Sequence, residues 1–485
     1  MKKITLISAI AAICGAANAA TVYVGSDGNF YDSVSGGSQV SLSAGDTVGF
    51  QSGVTSWTVS GDCSIAALDG ATAKGVTVNI SGADNKLTFT TMVFNSASAD
   101  SKVTFEGDGY LNFASRSFSL NGGATPTIVY NMTESSYSYK TGEPNNNVNA
   151  NFIIAEGVTY TNLRFSSTDS KTLSLSLEKN ARYISNGNTL NLNAANLNMA
   201  EGSYIETTLK SAGGNFRIYG SADINGTIII NGYRNASSGW GGDTYAAEFA
   251  GSTGPITFGA SANVEQRRGS SDAMYRASIG GTINSYVDTA AGNYLIFAQA
   301  VSFYANTTLN LYTSDAIISK CGDFNSKEEV LNAGKTQGNS NFILRGGTTE
   351  KGVKVSVLIN AYADQNFGSF DFTNDSVLKL SFNDNVISIG VLLSVNGSTI
   401  NVWVDGLGEE NFFISNMLKE SISENVKIYD IEGNLLAENE DYYLIDGKYG
   451  EVNGVWVSSV IPEPSEIAAI IGAFMLAFAV YRRRK

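Results

Sequence analysis

Short stretches in which apolar and polar residues alternate recur through most of this 485-residue chain, and they constrain its fold more than any other feature. Successive side chains of a β-strand point to opposite faces, so the alternation predicts short strands with one buried face. Glycine, asparagine and aspartate fall between the stretches and supply the positive φ of tight turns. The clearest stretches are residues 76–80, 87–89, 103–105, 173–177, 190–193, 353–357 and 400–404.

Short strands spaced about ten residues apart can build a sandwich, a barrel or a solenoid. Length favours the solenoid, because a single sandwich rarely exceeds about 250 residues and no proline-rich linker divides this chain. A weak internal repeat agrees: an aliphatic residue, a glycine turn and a hydroxyl residue precede a new strand at Ile224, Ile279 and Val395. We therefore predict an all-β fold, a right-handed parallel β-helix over residues 20–405, with hydroxyl and asparagine ladders between coils.

The composition changes after residue 405. Residues 406–460 are rich in acidic side chains and contain three further strand patterns at 426–429, 442–445 and 455–457, with turns at Glu432-Gly433-Asn434 and Asp446-Gly447. We predict a small acidic β cap that hides the edge of the last coil. Helical periodicity in the body of the chain is weak and restricted to residues 325–331 and 416–421.

The N-terminus has the three parts of a secretory signal peptide. A basic start at Lys2 and Lys3 precedes an apolar stretch at residues 4–13. Ala17 and Ala19 form the small-x-small pattern that signal peptidase recognises, which predicts a signal peptide at residues 1–19 and cleavage before Ala20. Cys14 raises the alternative of a lipoprotein, but the preceding Ile13 is too bulky for that cleavage pattern.

The C-terminus combines three features in a fixed order. Pro462-Glu463-Pro464 is extended, since proline fixes φ and lacks a backbone donor. The uncharged apolar run from Ile467 to Tyr481 has no polar face, which predicts a single transmembrane helix extended toward the interfaces by its flanking residues. The alternative, a buried terminal helix, would contain polar positions. Four cations then retain the end in the cytoplasm: Arg482, Arg483, Arg484 and Lys485.

This arrangement resembles the PEP-CTERM sorting signal of Gram-negative bacteria. The resemblance covers residues 461–485 and implies export, followed by recognition by an exosortase-type membrane transpeptidase. It implies that Pro462, Glu463 and Pro464 are the recognition element, that the apolar run anchors the precursor in the inner membrane, and that the final cations stop transfer. The protein would then reach the cell surface or extracellular matrix. The rest of the chain loosely resembles autotransporter-type adhesin solenoids, a likeness of composition that carries no functional residues.

Charge and cysteine content limit the partners. Without the six basic and two acidic residues of the terminal segments, 25 basic and 43 acidic residues remain, so the formal net charge is −18. This charge repels nucleic acid and anionic lipid and favours weak divalent-cation binding, such as calcium. Cys63 and Cys321 are too few for a disulfide scaffold, and in a solenoid they would lie too far apart to pair.

The absence of histidine excludes Ser-His-Asp and Cys-His catalysis and histidine-ligated zinc. Carboxylate chemistry of the glycosidase or lyase kind remains open. Its candidates are Asp364, Asp371, Asp375 and Asp384, near Asn374 and Asn383, although a role as turn residues that cap strands explains them more simply. Arg267-Arg268 could bind a carboxylated sugar or lie in a solvated loop. We predict no catalytic residue, no resident metal and no cofactor.

Two functions follow from these patterns. The first is a non-enzymatic surface or matrix protein that acts in adhesion or polymer packing. The second is a secreted protein that binds or cleaves polysaccharide. Geometry distinguishes them, because the second requires the aspartates to share a cleft with exposed tyrosines or with Arg267.

Overall fold

The computed structural model describes residues 19–93, 98, 100–119, 125–133, 150–166, 173–192, 196–208, 215–232, 247–268, 277–297, 300–319, 340–345 and 353–460. These residues form an all-β structure, a parallel β-solenoid of the right-handed type with about 12 coils. The chain divides into two compact units, Met1–Asn145 and Asn146–Lys485.

Both predicted terminal segments fall largely outside the described residues. Of the signal-peptide positions, Ala19 and Ala20 are described and Ala17 is not; the sorting signal at 461–485 and the helical pattern at 325–331 are likewise outside. Within the described ranges, no helix has the length and apolar character that a bilayer span requires.

Eleven strands lie in the described residues of the first unit. They are β1 Thr21–Val24, β2 Phe30–Tyr31, β3 Gln39–Val40, β4 Thr47–Phe50, β5 Ser56–Val59, β6 Cys63–Asp69, β7 Lys74–Ile80, β8 Lys86–Val93, β9 Lys102–Gly107, β10 Tyr110–Ser119 and β11 Thr127–Met132. One parallel sheet joins β1, β4, β6, β8 and β10, and another joins β5, β7, β9 and β11. Two short antiparallel strands, β2 and β3, cover the N-terminal edge of the former.

The described residues of the second unit contain twenty-six strands and one helix. The strands are β12 Ala150–Ile154, β13 Thr159–Ser166, β14 Leu173–Leu177, β15 Arg182–Leu192, β16 Leu197–Met199, β17 Tyr204–Thr208, β18 Asn215–Ile218, β19 Ala222–Ile224, β20 Thr227–Gly232, β21 Ala247–Phe249, β22 Ile256–Phe258, β23 Asn263–Arg268, β24 Ala277–Ser285, β25 Leu295–Ile296, β26 Val301–Leu311, β27 Ile317–Ile318, β28 Asn341–Leu344, β29 Ser356–Ala361, β30 Gln365–Phe372, β31 Val377–Ser381, β32 Ile387–Ser394, β33 Ile400–Asp405, β34 Phe412–Ile414, β35 Val426–Tyr429, β36 Tyr443–Tyr449 and β37 Val452–Ser458; the helix is α1 Lys419–Asn425.

These strands stack into three parallel sheets, one on each side of the coil. The first sheet runs from β12 through β14, β16, β19 and β22, then through the C-terminal halves of β24 and β26 to β29, β31, β33 and β35. The second runs from β13 through β15, β17, β20, β23 and β25 to β27. The third includes β18, β21, the N-terminal halves of β24 and β26, and β28. Long strands such as β24 therefore turn a corner between two sheets.

Alternation along each strand builds the core, because every second side chain points into the coil and stacks on its equivalent in the next coil. Phe342 lies between Phe303 and Phe370, with ring centroids 5.2 Å apart on each side. All three rings are fully buried. Stacked apolar side chains thus replace the central core of a globular domain.

Two of the three predicted repeats occupy the same place in the coil. Gly281 and Gly397, with φ of 69° and 75°, lie at the corner that leads into the first sheet. The third copy lies at a different corner: Gly226 has no positive φ, and an added Cβ there would clash with the carbonyl of Ser203. The repeat predicted a corner correctly, but one sequence pattern serves two corners for two different steric reasons.

The C-terminal end continues the solenoid beyond residue 405. β35 still pairs in parallel with β33, so the acidic segment includes the last coil. The antiparallel hairpin of β36 and β37 follows, and β37 covers the edge of β34. The turn predicted at 432–434 is confirmed, since Asn434 N donates to Asp430 Oδ1 at 2.8 Å.

Two local predictions change. Asp446-Gly447 is not a turn: it lies inside β36, where an added Cβ at Gly447 would meet the Trp456 ring at 2.5 Å. The hairpin turns instead at Gly450, with φ of 59°. The helical pattern at 416–421 corresponds to α1, which begins three residues later.

Candidate functional site

The four predicted aspartates do not share one cleft. Asp364 and Asp384 lie at the same corner in neighbouring coils, where the chain leaves the first sheet. Asp375 lies at the corner that enters the first sheet, and Asp371 belongs to β30 in the third sheet. The coil therefore brings Asp364 and Asp384 together and keeps Asp371 and Asp375 apart from them.

Two of these aspartates hold neighbouring coils together. Asp364 Oδ1 accepts a hydrogen bond from Val386 N at 2.8 Å, and Asp375 Oδ1 accepts one from Thr399 N, also at 2.8 Å. The bond from Thr399 lowers the pKa of the Asp375 carboxyl. Asp375 and Asp384 both have positive φ, as turn residues do. The turn interpretation of these residues accounts for their contacts.

Arg267 is engaged within the second sheet. Its Nη2 and Nε lie 2.6 and 3.0 Å from Glu265 Oε2. Asn263 donates to the other oxygen of Glu265 at 3.0 Å, and Glu265 is buried. The neighbouring Arg268 ends β23. The Arg267 guanidinium is thus neutralised by its own strand, which weakens its candidacy as a sugar-carboxylate ligand.

The Glu206 carboxylate, also on the second sheet, is likewise bound by side chains of the sheet itself. Glu206 accepts hydrogen bonds from the Tyr204 hydroxyl at 2.8 Å and from Asn231 Nδ2 at 2.9 Å. Arg182 lies over the Tyr204 ring, 4.6 Å from its centroid. Burial, with the bond to Glu206, raises the pKa of Tyr204 to about 12. The polar groups of the second sheet mainly bind one another.

The first sheet carries an open polar face with an asparagine ladder between coils, as predicted, although the sequence analysis did not identify its residues. Three asparagines lie on its outer surface in successive coils, each partly exposed. Asn360 Nδ2 donates to Asn310 Oδ1 at 2.7 Å, Asn310 Nδ2 donates to Asn284 Oδ1 at 2.7 Å, and Asn284 Nδ2 reaches Thr257 Oγ1 at 3.3 Å. Each amide has two N–H groups, so one donor per coil remains directed away from the ladder.

A ladder of tyrosines runs beside the asparagines. Tyr312 stacks between Tyr286 and Tyr362, with ring centroids 4.2 and 4.5 Å apart and rings inclined by 10° and 3°. Tyr286 is 42% exposed and Tyr362 is 46% exposed. Hydrogen bonds with these two neighbours, the one with Tyr286 first, raise the pKa of Tyr312 to about 12. We call these three asparagines and three tyrosines the Asn–Tyr face.

Carboxylates border this face at the next corner. Asp315 Oδ1 accepts Asn366 N at 2.8 Å, and Asp364 Oδ2 lies 3.5 Å from the Tyr449 hydroxyl of the terminal hairpin. Desolvation raises the pKa of the Asp315 carboxyl, and the Asp364 charge adds to the effect. Among the residues with described positions, no three histidine, cysteine, aspartate or glutamate side chains are grouped closely enough to hold a metal.

A sequence signal for the Asn–Tyr face exists. Ile283-Asn284-Ser285-Tyr286, Leu309-Asn310-Leu311-Tyr312 and Ile359-Asn360-Ala361-Tyr362 share the order aliphatic, asparagine, any residue, tyrosine, and each is followed by an aspartate after one or two residues. The copies are 26 and 50 residues apart. The uneven spacing hides the repeat, because the segments between successive copies differ in length.

Of the three cysteines, only Cys63 lies within the described residues. Cys63 in β6 carries a free thiol, and burial raises its pKa to about 11. Such a thiol is almost entirely protonated at neutral pH and is a poor nucleophile. Cys14 and Cys321 lie outside the described residues.

Comparisons of the chain with family models, with curated proteins and with solved structures found no match. The fold and the Asn–Tyr face therefore define the protein only by class: a parallel β-solenoid with an open polar and aromatic side.

Proposed function

We propose that this chain is an exported, non-enzymatic structural or adhesin-like protein of the cell surface or extracellular matrix. The observation that carries the proposal is the use of polar side chains between coils. Asn310 bonds to both neighbouring asparagines, and Asp364 and Asp375 each bind a backbone N–H of the next coil. Polar side chains that hold neighbouring coils together in this way support a structural role.

The absence of histidine and the positions of Asp371 and Asp375 also support a role other than catalysis. An acid–base pair of the glycosidase kind needs two carboxyls facing one sugar, about 5 to 9.5 Å apart. Asp371 and Asp375 lie on different sides of the coil, and Asp364, which shares a corner with Asp384, accepts a hydrogen bond from the backbone of the next coil.

The start of the ordered sheet supports the predicted processing at the N-terminus. β1 begins at Thr21, directly after the expected cleavage site. Ala20 N lies 3.1 Å from Oδ1 of Asp46, a carboxylate that is only 4% exposed. Cleavage before Ala20 would place a positive α-amino group on this buried carboxylate. The resemblance of the C-terminus supplies the other half of the proposal, sorting by an exosortase-type transpeptidase through Pro462-Glu463-Pro464.

Deletion of residues 462–485 tests this export route. In a Gram-negative bacterium that has an exosortase, the full chain should pass through an inner-membrane precursor and accumulate at the surface or in the matrix. The deleted chain should lose the membrane-bound precursor and change its distribution. Two results would contradict the proposal. An epitope tag placed within residues 20–460 would be protected from added protease because it lies inside the cell, or the deletion would leave the distribution of the protein unchanged.

The Asn–Tyr face favours one second candidate, binding of an extracellular polysaccharide. Amide donors, phenol hydroxyls and nearby carboxylates are groups that pair with sugar hydroxyls, and aromatic edges add apolar contact. They recur once per coil, as a polymer laid along the stack would require. The net charge of −18 favours a neutral polymer over an acidic one.

Co-sedimentation of the purified protein with neutral and acidic polysaccharides, with and without calcium, tests this candidate. Replacing Tyr286 and Tyr362 by serine should weaken binding to a neutral polymer. Leu393→Ser is a matched control, since Leu393 is 43% exposed on the third sheet. Equal loss in both variants, or binding only to acidic polymers, would exclude the Asn–Tyr face as the site.

A further inference from the structure

The tyrosine ladder is set by the backbone as well as by the rings. Tyr312 N donates to Ser285 O at 3.0 Å, and Tyr362 N donates to Leu311 O at 2.9 Å. These bonds continue the parallel register of β24, β26 and β29 by one residue. The three phenols are therefore held side by side even when their side chains fluctuate.

This ladder differs from the other tyrosine pair in the described part of the chain. Tyr160 and Tyr183 stack inside the coil with centroids 6.1 Å apart, and both are buried. Tyr286 and Tyr362 are exposed, and the shorter separations of 4.2 and 4.5 Å bring the ring carbons of Tyr312 against both neighbours. Unlike Tyr160 and Tyr183, the ladder offers a soluble oxidant both access and contact between two phenols.

We propose that Tyr312 is a site of oxidative cross-linking, forming dityrosine with Tyr286 or with Tyr362. Hydrogen peroxide, acting through a peroxidase, is the oxidant class. Each phenol loses one electron and one proton to give a phenoxyl radical. The two radicals join through ring carbons ortho to the oxygens, and the two ortho hydrogens move to the oxygens to restore both phenols. The protein loses two hydrogen atoms, and one peroxide becomes two molecules of water.

The neighbouring phenols assist this step. Tyr286 and Tyr362 act on the Tyr312 hydroxyl and raise its pKa, so a phenol that loses an electron has a neighbouring oxygen to take its proton. The product would tie coils whose tyrosines are 26 or 50 residues apart by a carbon–carbon bond that thiols do not reduce. Closing loops of this length restricts the unfolded chain, as a disulfide does. The proposal extends the scaffold function but does not depend on the export route.

Treatment of the purified full-length protein with peroxidase and hydrogen peroxide, followed by peptide mass spectrometry, tests the proposal. The main products should be intramolecular peptide pairs joining Tyr312 to Tyr286 or to Tyr362, two hydrogen masses lighter than the separate peptides, with dityrosine fluorescence. Protein unfolded in urea should lose this preference.

Phenylalanine variants provide matched controls, because they keep the stacked ring and remove only the phenol oxygen. Tyr312→Phe should remove both products. Tyr286→Phe should leave only the Tyr312–Tyr362 product, and Tyr362→Phe only the Tyr286–Tyr312 product. Undiminished dityrosine in Tyr312→Phe, mainly intermolecular products, or no cross-linked peptide in the native protein would overturn the proposal. Export tests and this test can fail independently.

Discussion

Gln266 and Gln365 are both buried in strands of the second unit, but their amides differ in hydrogen bonding. Within the described part of the chain, neither amide atom of Gln266 has a hydrogen-bond partner, although the residue is fully buried. Gln365 Nε2 donates to Thr313 O at 2.9 Å and to Ala363 O at 3.0 Å. An unpaired buried amide costs free energy that a paired one does not. The same residue type therefore has opposite effects at the two positions.

We expect Gln266→Met to stabilise the protein, because methionine has a similar shape and no unpaired polar atom. The free energy of unfolding should rise by about 1 to 3 kcal/mol, the usual cost of an unsatisfied buried group. Urea unfolding followed by circular dichroism measures it. Gln365→Met is the control and should destabilise the protein. A loss of stability in Gln266→Met would show that its amide is satisfied in solution.

Glu248 gives the stability a predictable pH dependence. Burial raises the pKa of its carboxyl above the ordinary 4.5, while Arg217, at 3.1 Å, and the hydrogen bond from the Tyr219 hydroxyl offset part of the rise. The folded state then binds the proton more tightly than the unfolded state. The stability from this group is complete below pH 4.5 and is lost as pH rises through the raised native pKa.

Glu248→Gln should remove this contribution. The free energy of unfolding of the native protein, minus that of the variant, should decrease as pH rises from about 4 to 7. Equilibrium unfolding of both proteins at each pH measures the difference, and other titrating groups cancel in it. A difference that is constant across this range would refute the assignment.

At the scale of elements, the terminal hairpin determines how the solenoid ends. A parallel stack leaves its last strand with unpaired backbone groups, which can recruit other chains. Antiparallel β37 pairs with β34 and closes this edge in the second unit. Trp456 packs on Phe413 at 4.7 Å and fixes the hairpin against the last coil.

Gly454 makes this closure sterically possible, since an added Cβ would lie 2.5 Å from Ile414 O and 2.6 Å from the Phe413 ring. Gly454→Ala should displace the hairpin, speed hydrogen exchange at residues 412–414 and promote self-association. Gly450→Asn is the control, because φ there is 59°, the space around it is open and asparagine tolerates this conformation. Light scattering measures self-association, and hydrogen-exchange measurements follow residues 412–414. Unchanged exchange in Gly454→Ala would mean that the hairpin does not depend on this contact.

At the scale of the whole molecule, the predicted cleavage before Ala20 should affect the stability of the folded protein. A mature chain beginning at Ala20 would carry its ammonium group on the buried Asp46 carboxylate, whose Oδ2 already accepts Ser43 N at 2.7 Å. A chain that keeps Ala19 would place an uncharged amide there. We expect the Ala20 form to be more stable by about 1 kcal/mol at pH 6.

This advantage requires a protonated amine, so it should disappear above the α-amino pKa of about 8. Thermal unfolding of the two forms at pH 6 and pH 10 measures it, and intact mass of the exported protein identifies the mature start. A start other than Ala20, or an equal difference at both pH values, would contradict the prediction.

The sequence predicted the local part of this structure well, because local chemistry sets it. Alternation at 103–105, 173–177 and 400–404 lies within β9, β14 and β33. Local patterns gave a wrong prediction where a residue distant along the chain matters. The neighbours of Gly447 predict a turn, yet Gly447 lies in β36, where the Trp456 ring occupies the space that a side chain would take.

The chain by itself therefore determined the strand periodicity, the glycine corners, the lack of histidine chemistry and the acidic charge. These depend only on which residues are near each other along the backbone. Only the tertiary structure decided which coils become neighbours, and so it alone aligned Tyr286, Tyr312 and Tyr362 and separated Asp371 from Asp364. The physical reason is the register of the strands, which places residues 26 and 50 positions apart in the same ladder.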